Sequence, residues 1–288
     1  LPTAEDRGGT RTLYVTDLDG TLLGPDGTLS ATSAGLLRSA IDRGVLVTCA
    51  TARSWTTTQR VLGGFRFAVP VVLYNGTFTY DAATDTLLDR NEIPAATTRV
   101  ILGLLESAGM PPLVYCLEGS RERVSWVVGL ENDGIRHFWA DRPSDPRNAP
   151  AADWAALPTE GVFNIAAIGT AAEIDPIAAA LRARVGDAVE LHVQPDTYHP
   201  QDMWMDIAPA GETKGRALLA LAERLDADRI VAFGDNLNDL PMFAVAHESY
   251  AMAHAVSRVR ESATGVLDDA PDAVARWIAV NATAAAAP

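Results

Sequence analysis

The stretch Thr12–Thr16, TLYVT, running straight into DLDGTLL at 17–23, constrains the fold of this chain more than any other feature. Five residues dominated by β-branched and aromatic side chains, without polar alternation, read as a strand buried on both faces, as strands are inside a parallel sheet. An extended spacing of two sends the carboxylates of Asp17 and Asp19 to the same side. Gly20 then lets the backbone turn tightly at a strand end, where open parallel α/β sheets bind ligands. An isolated Asp-x-Asp also suits a solvated turn. Its continuation as Gly-Thr-Leu-Leu directly after a buried strand favours a functional site.

The same alternation continues along the chain. Ser30 is placed to cap a helix whose Leu36, Leu37, Ala40 and Ile41 share one stripe, and Gly44 falls where a left-handed C-terminal residue is wanted. Residues 45–49 form a second strand; 69–74, after the 53–64 segment, form a third that ends at Asn75-Gly76. The pattern returns late in the sequence. Thr213 caps a helix carrying Leu218, Leu221, Ala222 and Leu225, followed by strands at 230–233 and 250–252 and a helix at 271–280 with Val274, Trp277 and Ile278 on one face. Strand-helix-strand order implies a parallel sheet with helices on both faces. The two ends therefore read as one α/β domain, residues 1–78 plus 206–288. Between them, strands at 112–117, 123–128, 162–168 and 189–193 are separated by helices at 95–108 and 171–185 and by proline-bearing loops at 142–150 and 194–201. This middle part, 79–205, reads as an inserted second α/β domain. The Ala-rich end, 281–288, is expected to fray, and no internal repeat is visible.

Composition excludes several roles. With 288 residues, 48% of them hydrophobic, the chain can fill a core. A formal net charge of −14 repels phosphate backbones and anionic membranes, and the longest basic grouping, Arg258 and Arg260, is too thin to reverse that. Nucleic-acid and membrane partners are not expected. No apolar run approaches the length of a bilayer, and LPTAEDRGGTR lacks the apolar core of a signal peptide, so a soluble cytoplasmic protein is expected. Cys49 and Cys116 form neither a disulfide framework nor a metal-ligand spacing, which suits a reducing compartment. Asn75-Gly-Thr and Asn281-Ala-Thr match the glycosylation pattern only by chance in that setting.

Other strand ends supply groups that complement the two aspartates. Thr51 follows the second strand in CATARS, Lys214 opens a helix in ETKGRAL, and Asp235, Asn236, Asn238 and Asp239 lie in FGDNLNDLPM. Each alone has an ordinary explanation: a helix cap, a surface lysine, a polar turn. If Asp17, Asp19, Asp235 and Asp239 converge, each close pair repels by about 1 to 4 kcal/mol at surface-like dielectric, and a cation must relieve it. An all-oxygen set with no His or Cys favours Mg2+, held by a few carboxylates together with water and substrate phosphate.

With these residues in place, the chain resembles the haloacid dehalogenase superfamily phosphatases of the Cof-type subfamily. DLDGTLL resembles the first motif of that superfamily, the Thr of ATARS the second, the Lys of TKGRAL the third and GDNLNDLPM the fourth, in that order. The resemblance implies a Rossmann-like parallel-sheet core with an inserted α/β cap that carries substrate specificity. It implies Asp17 as nucleophile, Asp19 as general acid and then base, Thr51 as a hydrogen-bond donor to the phosphoryl group and Lys214 as its charge partner. Mg2+ is expected among Asp17, Asp235 and the backbone carbonyl of Asp19, with Asp239 in or beside the coordination sphere. Substrate contacts are expected from Thr51, Ala52, Arg53, Asn75, Gly76, Lys214 and Asn238. In the cap, Tyr115, Trp126, His137, Trp139, His192 and His199 are candidates among residues that also suit a core. Hinges are expected at 78–81 and 206–211.

Two positions depart from the family pattern: Ala52 stands where it usually has glycine, and His254, in Met-Ala-His-Ala, where it usually has asparagine. The activity implied is hydrolysis of a small phosphorylated metabolite, a sugar phosphate, through an aspartyl-phosphate, by a monomer or weak homo-oligomer. A phosphosugar mutase or phosphotransferase on the same scaffold, and a non-catalytic phospholigand-binding protein, are the alternatives.

Overall fold

The computed structural model describes residues 10–119, 121–142, 144–195, 199, 201–211 and 213–282. The leader reading at the N-terminus thus falls largely outside the described residues. So does most of the tail expected to fray, and the 142–150 and 194–201 loops are described in part.

The chain divides into two compact units, Leu1–Arg90 with Thr213–Pro288, and Asn91–Glu212. The first unit begins with β1 (Thr12–Thr16), α1 (Ala31–Asp42), β2 (Leu46–Cys49), α2 (Trp55–Leu62), β3 (Val71–Leu73), β4 (Phe78–Asp81) and β5 (Thr86–Arg90). The second contains α3 (Ala95–Ser107), β6 (Leu113–Glu118), β7 (Arg121–Ser125), α4 (Asp133–Ala140), β8 (Val162–Gly169), α5 (Ala171–Val185), β9 (Val189–Pro195) and β10 (Met203–Pro209). The first unit resumes with α6 (Lys214–Arg224), β11 (Arg229–Gly234), α7 (Leu240–Val245), β12 (Glu248–Met252), α8 (Ser257–Ser262), β13 (Gly265–Leu267) and α9 (Ala273–Asn281).

In the first unit the main sheet has the order β13-β12-β11-β1-β2, and every pairing is parallel. β1 lies between β11 and β2, with Tyr14 opposite Val231 on one side and Val47 on the other. All five of its residues are buried, as its continuous apolar run requires. On one face Leu13, Val15, Ile230 and Ala232 share a core with Leu218 and Leu221 of α6 and Met242 and Phe243 of α7. On the other, Trp277 of α9 meets Tyr14, Phe233 and Tyr250, with ring centroids 6.4, 5.2 and 4.7 Å away. The expected caps form: Ser30 Oγ accepts from Ser33 N–H at 2.9 Å and Thr213 Oγ1 from Arg216 N–H at 3.2 Å, while Gly44 has φ +85°.

The second unit carries a five-stranded, wholly antiparallel sheet in the order β7-β6-β8-β10-β9. Ile101 and Leu105 of α3 and Ile174 and Leu181 of α5 form one core with Ile165, Ala167, Met205 and Ile207 of the sheet. The alternate residues point the other way, as a pleat demands. There Trp204 lies 5.9 Å from the ring of Phe138 in α4, and Asn164 donates to Asp206 at 2.9 Å.

Several expectations need correction. The borders fall after Arg90 and after Glu212, whereas the sequence reading set them at 78/79 and 205/206. Residues 78–81, expected as a hinge, are β4, hydrogen-bonded between β3 and β5. Residues 206–211, the other expected hinge, largely continue β10, whose ladder with β9 runs to Pro209. A border at 205/206 would cut that strand between two residues paired on both sides. The third strand is shorter than 69–74 and joins the parallel set through one bridge, Ala50 to Val72; its main partner is the antiparallel β4. No helix among the described residues is long and apolar enough to cross a membrane.

Candidate active site

The site grows from loops at the C-terminal ends of β1, β2 and β11 and from the first turn of α6. After β1 the chain enters a tight turn over Leu18–Leu22 in which Gly20 has φ +76°. A Cβ at Gly20 would lie 2.5 Å from Asp235 Oδ2, so glycine is needed for conformation and for clearance. Thr21 Oγ1 donates to Asp235 Oδ1 at 2.9 Å, tying the first loop to the one after β11. In that second loop Asp239 accepts at Oδ2 from the N–H groups of Asp235 (2.9 Å) and Asn236 (3.0 Å), which fixes the turn as an Asn-capped unit.

Lys214 is the fully buried centre of the site. Its Nζ donates to Asp17 Oδ1 and to Asp239 Oδ1, each at 2.6 Å. The lysine arrives there because Thr213 caps α6 and the preceding backbone packs against an unusual turn. Tyr74, Asn75 and Gly76 all have positive φ, of 48°, 56° and 114°, and a Cβ at Gly76 would lie 2.3 Å from Thr213 O. Such strain, of order 1–3 kcal/mol per residue, is characteristic of functional loops held by their surroundings.

Carboxylate oxygens of Asp17, Asp235 and Asp239 all lie within 4.8 Å of one another. Three carboxylates against one ammonium leave a surplus of negative charge, and the donor set is all oxygen, which fits a hard divalent cation. Burial, followed by the charges of Asp239 and Asp235, raises the Asp17 pKa to about 7 although Lys214 opposes it. Asp235 is also raised, by burial and by Asp239, against the hydrogen bond from Thr21. Burial disfavours the charge on Lys214, but Asp17 and Asp239 outweigh it and hold the ammonium above its ordinary range.

The remaining expected residues divide into two groups. Thr51 is fully buried beside the turn: its carbonyl accepts from Asn75 N–H at 3.0 Å and its hydroxyl from Arg53 N–H at 3.1 Å. Asn238 Nδ2 donates to Asn75 Oδ1 at 3.0 Å, joining two expected substrate contacts to each other. The Asp19 carboxylate stands outside the acidic cluster and is gripped by Arg53, through Nε at 2.7 Å and Nη2 at 2.6 Å. Arg53, expected to meet substrate, has its guanidinium on the acid–base candidate. Gly76, also expected as a substrate contact, is buried against Thr213, and Ala52 is exposed. Sequence reasoning missed the role of Thr21, and it marked His254 only as a departure from the family pattern. His254 Nδ1 lies 2.7 Å from Asp269 Oδ1 and its Nε2 3.8 Å from Asp235 Oδ2.

Comparison with known proteins agrees with this geometry. The family model for haloacid dehalogenase-like hydrolases matches residues 14–278. Pyridoxal phosphate phosphatase YbhA of Escherichia coli is 27% identical over 270 residues, covering 91% of this chain and 95% of that protein. The 5-amino-6-(5-phospho-D-ribitylamino)uracil phosphatase YwtE of Bacillus subtilis is 26% identical over 267 residues, covering 87% and 90%. An X-ray structure from Thermotoga maritima, 24% identical, superposes with a TM-score of 0.79 over 95% of this chain and 99% of the other, and shares the fold. The strand-end aspartates, the buried lysine and the whole-length match together show that this chain belongs to the haloacid dehalogenase-like hydrolase family, as a phosphatase of its Cof-type branch.

Proposed function

We propose that the protein is a Mg2+-dependent phosphomonoesterase that hydrolyses a small phosphorylated metabolite through an aspartyl-phosphate on Asp17. The observation that carries this reading is the double contact of Lys214 Nζ with Asp17 and Asp239, beside an Asp19 that stands free of that cluster. An Asp17 oxygen attacks phosphorus as the ester P–O bond breaks, and Asp19 gives its proton to the departing alcohol. A water then attacks the aspartyl-phosphate, Asp19 takes the proton from that water, and inorganic phosphate leaves with Asp17 restored. Lys214 offsets charge on the phosphoryl oxygens, and Thr51 donates a hydrogen bond to one of them. Asp17, Asp235 and the backbone carbonyl of Asp19 would hold the cation. Asp239 stands beside it, its two oxygens already engaged by Lys214 and by two backbone N–H groups. When bound, the ion supplies charge neutralisation and a template for the phosphoryl group.

The second unit, Asn91–Glu212, acts in this reading as the specificity cap. The substrate is a sugar phosphate or a phosphorylated heterocycle; the two named relatives act on phosphate esters of the second kind. The enzyme works in the cytoplasm as a monomer or weak homo-oligomer, a setting supported by two free, buried cysteines. The test is phosphate release from a panel of sugar, pyridoxal, pyrimidine and ribityl phosphates, with Mg2+ or chelator, for the native protein and Asp17→Asn. Mg2+-dependent release lost in the variant is expected. Transfer to a second hydroxyl without phosphate release would replace hydrolysis by phosphotransfer.

A further inference from the structure

His254 stands where the family usually has asparagine, and the phosphatase chemistry gives it no task. Its place is nonetheless fixed. It lies on the loop after β12, and Val256 N–H of the same loop donates to Asp235 O at 3.2 Å, which ties the loop to the backbone of a carboxylate of the site. The guanidinium of Arg260 donates to the carbonyls of Ala253, at 3.2 Å, and of Ala255, one on each side of His254. Asp269 then holds the residue twice through one oxygen: Oδ1 accepts from His254 N–H at 3.3 Å and lies 2.7 Å from Nδ1. The bond to the ring holds the Asp269 carboxyl below its ordinary range.

An ionised carboxylate at Nδ1 places the ring proton there and leaves the lone pair on Nε2, at the other end of the ring. Nε2 lies 3.8 Å from Asp235 Oδ2, too far for a hydrogen bond. Two electron-pair donors thus face each other across a gap. Atoms that each bind one ion at about 2.1 Å are at most about 4.2 Å apart, so a single divalent cation spans that distance. A histidine with one nitrogen held by a carboxylate and the other turned to a metal is the arrangement in which ligating imidazoles are oriented. His254 adjoins the cluster of Asp17, Asp235 and Asp239 through Asp235, and its half-exposed side chain is open to an ion from solvent.

We propose that His254 Nε2 and the Asp235 carboxylate form a mixed nitrogen and oxygen face of the cation site, which opens the site to divalent ions that take imidazole, such as Co2+ and Zn2+, beside Mg2+. The inference rests on the cation site of the phosphatase reading and adds a ligand to it. Carboxylate and water suit Mg2+, whereas imidazole suits the later first-row ions. The contribution of His254 therefore falls on Co2+ and leaves Mg2+ nearly unaffected.

Calorimetric titration of the metal-free, full-length protein with Co2+ and with Mg2+ tests it, together with the X-ray absorption fine structure of the Co2+-loaded protein. Neither readout involves turnover. His254→Asn, which installs the residue usual in the family, is expected to lower Co2+ affinity about tenfold or more, to move Mg2+ affinity by less than about twofold, and to remove the imidazole scattering pattern from the Co2+ spectrum. Asp269→Ala should lower Co2+ affinity about tenfold in the native background and leave it unchanged in the His254→Asn background, because Asp269 acts through the ring. An imidazole pattern that persists in His254→Asn, an unchanged Co2+ affinity in that variant, or equal losses for the two ions would each overturn the role of His254 and leave the cation site standing. Binding of neither ion by the native protein would overturn the cation site as well. Thermal melts of the variants confirm that they are folded.

Discussion

Arg53 grips Asp19 with two parallel N–H bonds, Nε to Oδ2 at 2.7 Å and Nη2 to Oδ1 at 2.6 Å. The fork fixes the plane of a carboxylate that is otherwise exposed, and a lysine cannot reproduce it. Arg53→Lys is expected to lower kcat about tenfold, the equivalent of one lost charge-assisted bond, while leaving the melting temperature nearly unchanged because an exposed pair contributes little to stability. Steady-state kinetics beside a thermal melt separate the two effects.

Lys214 has the opposite profile. It is fully buried between Asp17 and Asp239, so Lys214→Met leaves two carboxylates without their counter-charge. A loss of about 3–5 kcal/mol is expected from breaking such a buried pair, along with loss of turnover. Urea denaturation of the variant measures the first, and a phosphate-release assay the second.

The raised pKa of Asp17 predicts how pH and metal interact. In metal-free protein the folded state holds a proton that the unfolded chain gives up near 3.8, so this contribution is full below about pH 4 and disappears as pH rises through about 7. A bound divalent cation favours the ionised carboxylate and so offsets the burial and the neighbouring negative charge that raise the value. The rise in melting temperature on adding Mg2+ to chelator-treated protein should therefore be larger at pH 8 than at pH 5, by about 3 °C or more. An equal rise at both pH values would count against the assignment.

Gly76→Ala probes the strained turn. At φ +114° and with a Cβ aimed 2.3 Å from Thr213 O, alanine must displace the start of α6 and Lys214 with it. A destabilisation of about 2–3 kcal/mol and a marked fall in kcat are expected together. A melt matching that of the native protein would show that the turn yields without cost.

In the second unit, Arg147 and Asp145 pair at 2.6 Å with both side chains nearly buried, and Glu122 lies 3.5 Å from the same guanidinium. Burial acts to raise the Asp145 pKa, but the Arg147 bonds outweigh it and hold the carboxyl below its ordinary range. Its stabilising contribution is therefore present above the unfolded value and fades as pH falls through the lower folded value. Asp145→Asn should cost about 3 kcal/mol at pH 7, a difference that shrinks at a strongly acid pH, below the lowered folded value, where the native carboxyl protonates. Denaturant curves at the two pH values test the sign.

The legible parts of this molecule were those written locally. TLYVT carries its own burial, Ser30 and Thr213 their own caps, and the strand-end positions of Asp17, Thr51 and Asp235 follow from the alternation of elements. What escaped depends on contacts between distant residues. The partner of Arg53 lies 34 positions away, and nothing in the spacing marks it. Asp235 draws Thr21 and His254 from two other loops for the same reason. β10 did carry a signal. Met205 and Ile207 face the core while Trp204 and Asp206 do not, an alternation of period two that places 203–209 in one strand and argues against a border inside it.

The pairing of β1 with β11 sets Thr12 against Arg229, while Asn91–Glu212 is uninterrupted and contains all five strands of its own sheet. On the ribosome, the strand that leads into Asp17 emerges early but must wait for nearly the whole chain before its central neighbour exists, whereas the intervening unit has all of its pairing partners much sooner. Long-range parallel pairing is slow because the loop must close before any contact rewards it. The order of synthesis therefore favours a chain whose middle is folded while its first strand, with β2 already available on one side, still lacks β11 on the other, and the Asp17, Asp235 and Asp239 cluster is among the last parts of the molecule to come into being.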